Sequence, residues 1–375
     1  MVEAYVAIIN RQSSFKYSMK CVGVVGTGTM GHGIAQIAAM SGYRVILYGR
    51  RQASIENAMD KIRLSLQKFM KKGIIRYEEV EKTLDRIKTT TSLNEEMSSV
   101  SIVIEAVAED LAVKKDLYTL VEKKISDDTI ISTTTSTIPI SELQEGLNNP
   151  SRVIGTHFFN PPQIMKLVEI MGGKYTSHES LIFCVDFVRT LGKVPLILRR
   201  EIPGYVANRI LLSMFLTALD IVESGEATPI EIDSILKYRH GFPMGLFELA
   251  DFVGLDVVLN SLKILCRFDG TFSFSETIEK MVNEGRVGMK ARRGFYEYSE
   301  NGKREVYLPA NGEKENLIAK IMLAGIREAE ELVNMGVVDK DSIDIAVKLG
   351  LNLSKGIFES TEESRIAGMK ELILP

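Results

Sequence analysis

A glycine-rich turn between two apolar segments constrains the fold of this chain more than any other feature. Residues 21–25, CVGVV, are short and rich in β-branched side chains, as is typical of a strand buried on both faces. Gly26, Gly28 and Gly31 follow with the spacing G-x-G-x-x-G and open a segment with helical apolar spacing. Residues 45–48, VILY, predict a second strand. The order strand, glycine turn, helix, strand indicates a Rossmann-type unit that binds the pyrophosphate of a dinucleotide.

On this interpretation the dinucleotide contacts the turn and the start of the helix, at Gly26, Gly28, Thr29, Met30 and Gly31. The alternative is a glycine-bearing βαβ unit that binds nothing. The strand–turn–helix context favours the binding interpretation, because a match to the glycine spacing alone has little specificity.

The motif departs from the usual pattern at the end of the second strand. An acidic residue there normally holds the adenosine ribose of NAD, whereas this chain has Gly49 followed by Arg50 and Arg51. A glycine leaves room for a 2′-phosphate, and an arginine can form charge-assisted hydrogen bonds with it. The alternative is that both arginines are solvated and the backbone holds the ribose. The sequence therefore predicts NAD and leaves the use of NADP open.

Composition limits the partners of this chain. Its 375 residues are enough for two or three domains. A formal net charge of −3, with no cluster of basic residues, argues against nucleic-acid binding. No apolar run reaches the roughly 18 residues needed to span a membrane. The three cysteines, Cys21, Cys184 and Cys266, show neither a metal-binding spacing nor a disulfide framework. We therefore expect a cytoplasmic protein without a metal site.

The spacing of apolar residues divides the chain into four segments. Residues 1–18 lack the long apolar core of a signal peptide and predict an N-terminal extension or an extra edge strand. Strands and helices alternate over 19–199, which predicts an α/β Rossmann domain with a doubly wound, mostly parallel sheet. Residues 200–300 have helical spacing and predict an all-α domain. Residues 301–375 begin with a polar linker and continue as a degenerate repeat of that helical domain.

Individual elements follow from the same periodicities. We predict helices at 53–72, 77–86 and 114–125, and strands at 100–107, 129–133, 153–159 and 165–171.

The repeat is visible when the segment from Ala218 is laid without gaps on the segment from Ala329. The aligned pairs are Gly225 and Gly336, Asp233 and Asp344, Lys237 and Lys348, Gly245 and Gly356, and Phe247-Glu248 with Phe358-Glu359. Shared helical bias explains part of this similarity. The glycine and Phe-Glu matches favour a true duplication.

Hydride transfer at a dinucleotide requires a base for the proton that leaves a hydroxyl. Among the four histidines, only His157 lies in an apolar strand that ends in a loop, where ligands bind in such sheets, whereas His178 lies in a polar loop. Glu169, in the next apolar segment, can orient the imidazole. The alternative for this pair is an ordinary buried hydrogen bond. Ser136 and Asn208 are candidate donors to a substrate oxygen.

Six ordered blocks resemble the L-3-hydroxyacyl-CoA dehydrogenase family and together span residues 20–298. They are GVVGTGTMGHGIAQ, EAVAEDLAVKK, RVIGTHFFNPPQIMKLVEI, IPGYVANR, FPMGLFELADFVGLD and GRVGMKARRGFYEY. The resemblance implies the interconversion of (S)-3-hydroxyacyl-CoA and 3-oxoacyl-CoA with a nicotinamide cofactor. The alternatives are a related dehydrogenase of free hydroxy acids or sugar acids, and a catalytically silent binding protein on the same fold.

The resemblance also implies roles for particular residues. His157 is then the general acid/base, Glu169 its carboxylate partner, and Ser136 and Asn208 contact the substrate. The family's dinucleotide-contacting positions fall on Glu109, Lys114, Ser136, Asn160 and Lys290, in addition to the turn with Gly49 and Arg50. Its coenzyme A-binding positions fall on Ser65 and Lys72. A solvated helix face is the alternative for this last pair.

This sequence departs from the family in three further places. Thr134 replaces an asparagine, Arg292 replaces a glycine in a turn, and Ala319 stands in the repeat where the first copy has Asn208. In the family the helical domain pairs with its copy from another subunit. We therefore predict either a homodimer or a monomer in which the repeat forms an intrachain pseudo-dimer. The second arrangement would bury the repeat's apolar residues against 208–249, namely Ile318, Ile321, Met322, Ile343, Val347 and Phe358.

Overall fold

The computed structural model describes residues 21–93, 95–270, 272–299 and 314–359. The predicted N-terminal extension and the polar linker at 301–313 lie outside the described residues. The chain forms two compact units, Met1–Glu201 and Ile202–Pro375.

The first unit is built on an eight-stranded sheet. Its strands are β1 (Cys21–Val25), β2 (Arg44–Tyr48), β3 (Ile87–Thr90), β4 (Ile102–Glu105), β5 (Ile130–Thr133), β6 (Val153–Phe158), β7 (Leu167–Gly172) and β8 (Val194–Leu198). They lie in the order β3-β2-β1-β4-β5-β6-β7-β8. The first six strands are parallel, β7 is antiparallel to β6, and β8 is parallel to β7. The predicted doubly wound, mostly parallel sheet is confirmed.

Six helices flank this sheet: α1 (Thr29–Met40), α2 (Gln52–Lys71), α3 (Tyr77–Asp85), α4 (Leu111–Glu122), α5 (Ile140–Gln144) and α6 (His178–Thr190). Short 3₁₀ turns occur at Glu95–Ser99 and Pro150–Arg152. The strand order reverses between β1 and β4, so the carboxyl ends of β1 and β4 to β6 border the crevice where ligands bind in such folds.

Two sequence predictions in this unit were wrong in detail. The helix predicted from residue 114 begins at Leu111, because the Asp110 carboxylate caps it by accepting a hydrogen bond from the Val113 amide at 2.9 Å. His178, predicted in a polar loop, is the first residue of α6, and Ser177 caps that helix.

The second unit is helical. Its helices are α7 (Ala207–Glu223), α8 (Pro229–Tyr238), α9 (Leu246–Val253), α10 (Leu255–Phe268), α11 (Glu276–Asn283), α12 (Glu315–Asn334) and α13 (Lys340–Gly350), with a 3₁₀ turn at Met289–Ala291. Helix α7 lies at the centre and packs against α9, α12 and α13.

The same buried hydrogen-bond motif occurs in both copies of the repeat. Asp233 accepts hydrogen bonds from the two amides of the following Phe-Glu pair at 3.0 and 2.8 Å, and Asp344 does so at 2.9 and 3.2 Å. The glycine before each pair is required, because a Cβ at Gly245 would lie 2.1 Å from the Asp233 Cγ, and one at Gly356 would lie 2.2 Å from the Asp344 Cγ. A shared tertiary motif of this kind supports duplication over shared helical bias.

Helix α12, the first helix of the second copy, packs closely on α7. A Cβ at Gly325 would lie 2.9 Å from both the Cγ and the Sδ of Met214. The buried Arg209 guanidinium crosses the contact and pairs with Glu328 at 2.6 Å and with Asp269. Of the six apolar residues of the repeat that the sequence predicts to be buried, four are buried and two are only partly so. The buried residues are Ile318, Ile321, Ile343 and Val347, and the partly buried ones are Met322 and Phe358.

Candidate active site

The glycine turn after β1 leaves a helix N-terminus open to a ligand. A Cβ at Gly26 would lie 2.2 Å from the Ala106 carbonyl oxygen, and one at Gly31 would lie 2.0 Å from the Gly26 carbonyl oxygen. Gly28, which precedes α1, faces open space, and no side chain caps this helix. Unpaired amides and the helix dipole suit an anionic group, so the turn fits a dinucleotide pyrophosphate.

The first residues of α1 complete this turn. Thr29 is exposed and Met30 partly exposed. His32, in the same first turn of the helix, is buried, and its Nδ1 lies 2.7 Å from the Gly28 carbonyl oxygen. Burial lowers the pKa of His32 below its usual value, and Lys61 acts in the same direction. A neutral His32 that donates from Nδ1 therefore rigidifies the turn.

His157 and Glu169 are cross-strand neighbours in the antiparallel pair of β6 and β7. The His157 Nδ1 lies 2.7 Å from the Glu169 Oε2, and the two side chains are 5% and 0% exposed. The predicted contact is present. Because the carboxylate accepts the proton on Nδ1, the neutral imidazole keeps its lone pair on Nε2. The Phe159 ring packs edge-on against the imidazole, with 4.8 Å between centroids.

Ser136 lies in the loop after β5 and reaches the second ring nitrogen of the imidazole, with its Oγ 3.2 Å from the His157 Nε2. The structure thus brings Ser136, His157 and Glu169 into one row of hydrogen bonds at the carboxyl end of β5 and β6. A hydroxyl group placed beside Nε2 could transfer its proton to that nitrogen and accept a hydrogen bond from Ser136.

Glu109 holds the loop that carries Ser136. Its Oε1 accepts hydrogen bonds from the Thr135 hydroxyl at 2.6 Å, from the amides of Ser136 and Thr137 at 2.8 and 3.0 Å, and from the Thr137 hydroxyl at 3.1 Å. Burial opposes ionisation of Glu109, but the Lys114 ammonium and these hydrogen bonds outweigh it and hold the pKa of this carboxyl below its usual value.

Sequence reasoning missed Glu105, the last residue of β4. Its carboxylate accepts hydrogen bonds from the Lys114 Nζ at 2.7 and 2.9 Å, from the Val107 amide at 2.8 Å, from the Thr133 hydroxyl at 2.8 Å and from the Tyr118 hydroxyl at 3.1 Å. The sequence feature that could have identified Glu105 is its place as the acid that ends the apolar run IVIE. Ligands bind at the carboxyl ends of the strands in a parallel sheet, so an acid at that position is a candidate site residue.

The remaining predicted positions in the first unit are more exposed. Asn160 is exposed in the loop after β6, Ser65 is half-buried in α2, and Lys72 is exposed where α2 ends. The amide of Thr134 donates to the Glu105 carbonyl oxygen at 3.0 Å.

Gly49 is sterically constrained. A Cβ there would lie 2.7 Å from the Thr27 Cγ2 and 2.9 Å from the Ile55 Cγ1. Arg50 and Arg51 are exposed, and no carboxylate among the described residues forms an ion pair with either. The glycine therefore has a packing reason that is independent of the cofactor, while both guanidinium groups face solvent.

Two predicted site residues belong to the second unit. Asn208 is partly exposed in the first turn of α7. The Lys290 Nζ pairs with both carboxylate oxygens of Asp256 at 2.5 Å. Arg292, where the family has glycine, occupies the left-handed region with φ 61°.

Over the ranges that the structure describes, no helix is both long and apolar enough to cross a membrane. Within the same residues, no group of three His, Cys, Asp or Glu side chains is placed to hold a metal ion.

Two family models match the chain in succession. The model described as 3-hydroxyacyl-CoA dehydrogenase, NAD binding domain, matches residues 21–202. The model described as 3-hydroxyacyl-CoA dehydrogenase, C-terminal domain, matches residues 204–298. The two matches together cover well over half of the chain.

Similar proteins carry related names. The mitochondrial hydroxyacyl-coenzyme A dehydrogenase of Sus scrofa is 36% identical over 294 residues, which cover 76% of this chain and 93% of that protein. A probable 3-hydroxybutyryl-CoA dehydrogenase of Deinococcus radiodurans is 37% identical over 278 residues, which cover 74% of this chain and 99% of that protein. The crystal structure of 3-hydroxybutyryl-CoA dehydrogenase from Escherichia coli K12 matches with a TM-score of 0.81 at 26% identity, covering 96% of this chain and 97% of that chain. A match of that extent continues beyond residue 298, where the second family model ends.

Proposed function

Because this chain belongs to the 3-hydroxyacyl-CoA dehydrogenase family and is an NAD-binding oxidoreductase of that class, we propose that His157 transfers the proton of the reaction. The observation that carries this proposal is the row Ser136, His157 and Glu169, in which Nε2 is the imidazole nitrogen that does not face the carboxylate. All three side chains lie on the sheet edge that bears the glycine turn.

The glycine turn after β1 would hold the dinucleotide, and a bound nicotinamide would supply the hydride acceptor or donor for C3 of the acyl group. In the oxidation, Nε2 of His157 takes the C3 hydroxyl proton as the carbonyl forms. Glu169 then stabilises the imidazolium through Nδ1, and Ser136 donates a hydrogen bond to the C3 oxygen. In the reduction, His157 returns the proton to that oxygen.

A steady-state assay of acetoacetyl-CoA reduction tests this assignment. His157→Gln should lower kcat by about 10²–10⁴-fold while leaving NADH binding nearly unchanged. His178→Gln, which alters an exposed histidine, is the matched control and should retain wild-type kcat. A His157→Gln variant within about threefold of wild type would remove His157 from the mechanism.

We further propose that the enzyme uses NADPH measurably alongside NADH. Two observations support this proposal. Gly49 stands in place of the usual ribose-binding acid, and the neighbouring Arg50 and Arg51 side chains are exposed to solvent. A Gly49→Asp test is compromised, because the new Cβ would meet Thr27 and Ile55. The better test is the double variant Arg50→Ala/Arg51→Ala, with Arg63→Ala as control, in parallel NADH and NADPH assays. A selective rise in the NADPH KM supports the proposal, whereas no NADPH turnover in the wild type contradicts it.

For the substrate, we propose that Ser65 and Lys72 bind the phosphates of coenzyme A. Lys72 is exposed and offers a flexible ammonium where α2 ends. Lys72→Ala should then raise the KM for acetoacetyl-CoA but not that for acetoacetyl-pantetheine, which lacks the nucleotide phosphates. Lys123→Ala, an exposed lysine where α4 ends, is the control. An equal rise in both KM values would contradict a phosphate contact.

For the assembly, we propose that the second helical copy replaces a partner subunit. Its support is the close packing of α12 on α7 across Gly325 and the buried Arg209–Glu328 pair. Truncation after Tyr298 should expose the α7 face and cause dimerisation or aggregation, which sedimentation measures. An unchanged oligomeric state and an unchanged melting temperature would contradict this.

A further inference from the structure

Lys114 lies at a position where the family resemblance implies a dinucleotide contact, yet its surroundings differ from those of a ligand-binding lysine. Its side chain is 1% exposed, and its Nζ is held by both oxygens of Glu105 at 2.7 and 2.9 Å and by Glu109 at 3.4 Å. We propose that Lys114 is a positioning residue that places Ser136 beside His157 by neutralising Glu109. This inference rests on the proposed function.

The link from Lys114 to Ser136 passes through the two oxygens of one carboxylate. The Oε2 of Glu109 faces the ammonium, whereas its Oε1 accepts four hydrogen bonds from residues 135–137. The serine loop thus depends on an ionised Glu109 that stays in place. The Lys114 ammonium attracts both carboxylates, and without it the like charges of Glu105 and Glu109 would disfavour ionisation of the pair.

Of the two carboxylates that contact Lys114, that of Glu105 is held more firmly in place. Its side chain is 1% exposed and is also held by the Val107 amide and by the hydroxyls of Thr133 and Tyr118. Glu109 is the movable side, since it lies in a loop and its side chain is 24% exposed. Loss of the ammonium would therefore displace or protonate Glu109 rather than Glu105. Either change weakens the acceptor that holds the Ser136 loop.

The charge states agree with this geometry. Burial favours the neutral amine, but Glu105 and Glu109 outweigh it and raise the pKa of Lys114 above its usual value. The pKa of Glu109 is correspondingly held below its usual value despite burial. Both groups are therefore charged at neutral pH.

The two roles for Lys114 predict opposite kinetic effects. As a positioning residue, Lys114→Met should lower kcat for acetoacetyl-CoA reduction by about 10–100-fold while changing the NADH Kd, measured by fluorescence titration, by less than about threefold. As a dinucleotide ligand, it should weaken NADH binding with kcat largely kept, and that result would overturn the inference. Lys115→Met, which removes the neighbouring, partly exposed lysine that pairs with Glu145 at 3.0 Å, is the matched control.

A double variant tests the electrostatic link directly. Lys114→Met/Glu109→Gln removes one positive and one negative charge, and the glutamine Oε1 can still accept from the serine loop. We expect the double variant to recover at least about tenfold in kcat over Lys114→Met alone. No recovery would overturn the link.

If Lys114→Met fails to fold, the role of Lys114 can still be tested by comparing the double variant with Glu109→Gln alone. The double variant should then match Glu109→Gln alone in kcat within about threefold, and a much lower kcat together with weaker NADH binding would overturn the inference. Absence of turnover in the wild-type chain would instead refute the proposed function. Normal wild-type turnover with an unaffected Lys114→Met variant would refute only the role of Lys114.

Discussion

The Glu169 carboxylate should contribute to catalysis chiefly by stabilising a charge that exists only after proton transfer. Glu169→Gln preserves the volume of the side chain and an oxygen acceptor for the His157 Nδ1 proton, so it removes the charge and little else. Because Glu169 is fully buried and its Oε2 lies 2.7 Å from Nδ1, the imidazolium that forms during oxidation loses a close, poorly screened counter-charge.

The magnitude follows from that distance. Coulomb's law at an effective dielectric constant of about 20 gives roughly 6 kcal/mol at this separation, which is an upper bound. Breaking a buried ion pair by removing one partner costs about 3–5 kcal/mol. Since each 1.36 kcal/mol changes a rate about tenfold, we expect kcat to fall by roughly 10²–10⁴-fold.

The assay is steady-state NAD reduction with (S)-3-hydroxybutyryl-CoA, the direction in which the imidazolium forms, together with thermal unfolding of the same preparations. Glu179→Gln removes an exposed carboxylate from the first turn of α6 and serves as the control, with expected wild-type kcat. The Glu169→Gln melting temperature should stay close to that of the wild type. A kcat within about threefold of the wild type would refute the electrostatic role, and a loss of kcat that merely follows unfolding would assign Glu169 to stability alone.

The remaining predictions concern stability, each measured by urea unfolding against the wild type. Arg292→Gly should stabilise by about 1 kcal/mol, because φ 61° is costly for arginine and free for glycine, and no gain would refute strain there. Gly325→Leu should destabilise by about 1–3 kcal/mol through overpacking against Met214, and a neutral result would show that α12 can move away. Burial lowers the pKa of Lys193 from 10.5 to about 8, so the folded state holds this proton less tightly than the unfolded state. The stability of the wild type relative to Lys193→Met should therefore rise between pH 8 and 10.5, and a constant difference would contradict the shift.

The first unit could be predicted from the sequence because its constraints are local. The steric needs of Gly26 and Gly31 are met by neighbouring backbone, and the β-branched run from Cys21 predicts a buried strand without further information. The direction of β7 could not be predicted in this way. A strand buried on both faces has the same apolar pattern in either direction, so the antiparallel pairing with β6 appears only in the assembled sheet.

In the candidate site, too, some residues could be predicted from the local sequence and others only from the assembled sheet. His157 was singled out because it lies in an apolar strand that ends in a loop, and the family resemblance implied its pairing with Glu169. Glu105 was missed because its partners come from the loop after β4, from β5 and from α4, and only the assembled sheet brings them to one carboxylate. The backbone conformation of Arg292 was likewise beyond sequence patterns, since the departure from glycine marked the position but not its φ angle.

The crowding around Gly49 has a consequence for how such an enzyme could change its cofactor during evolution. A single substitution to aspartate or glutamate would introduce the ribose-binding acid and, in the same step, force its Cβ against Thr27 and Ile55. A smaller residue at position 27 would remove one of those contacts in advance. The historical order of substitutions would then matter, with a change in the glycine turn acting as a permissive step before any acid could be gained at position 49.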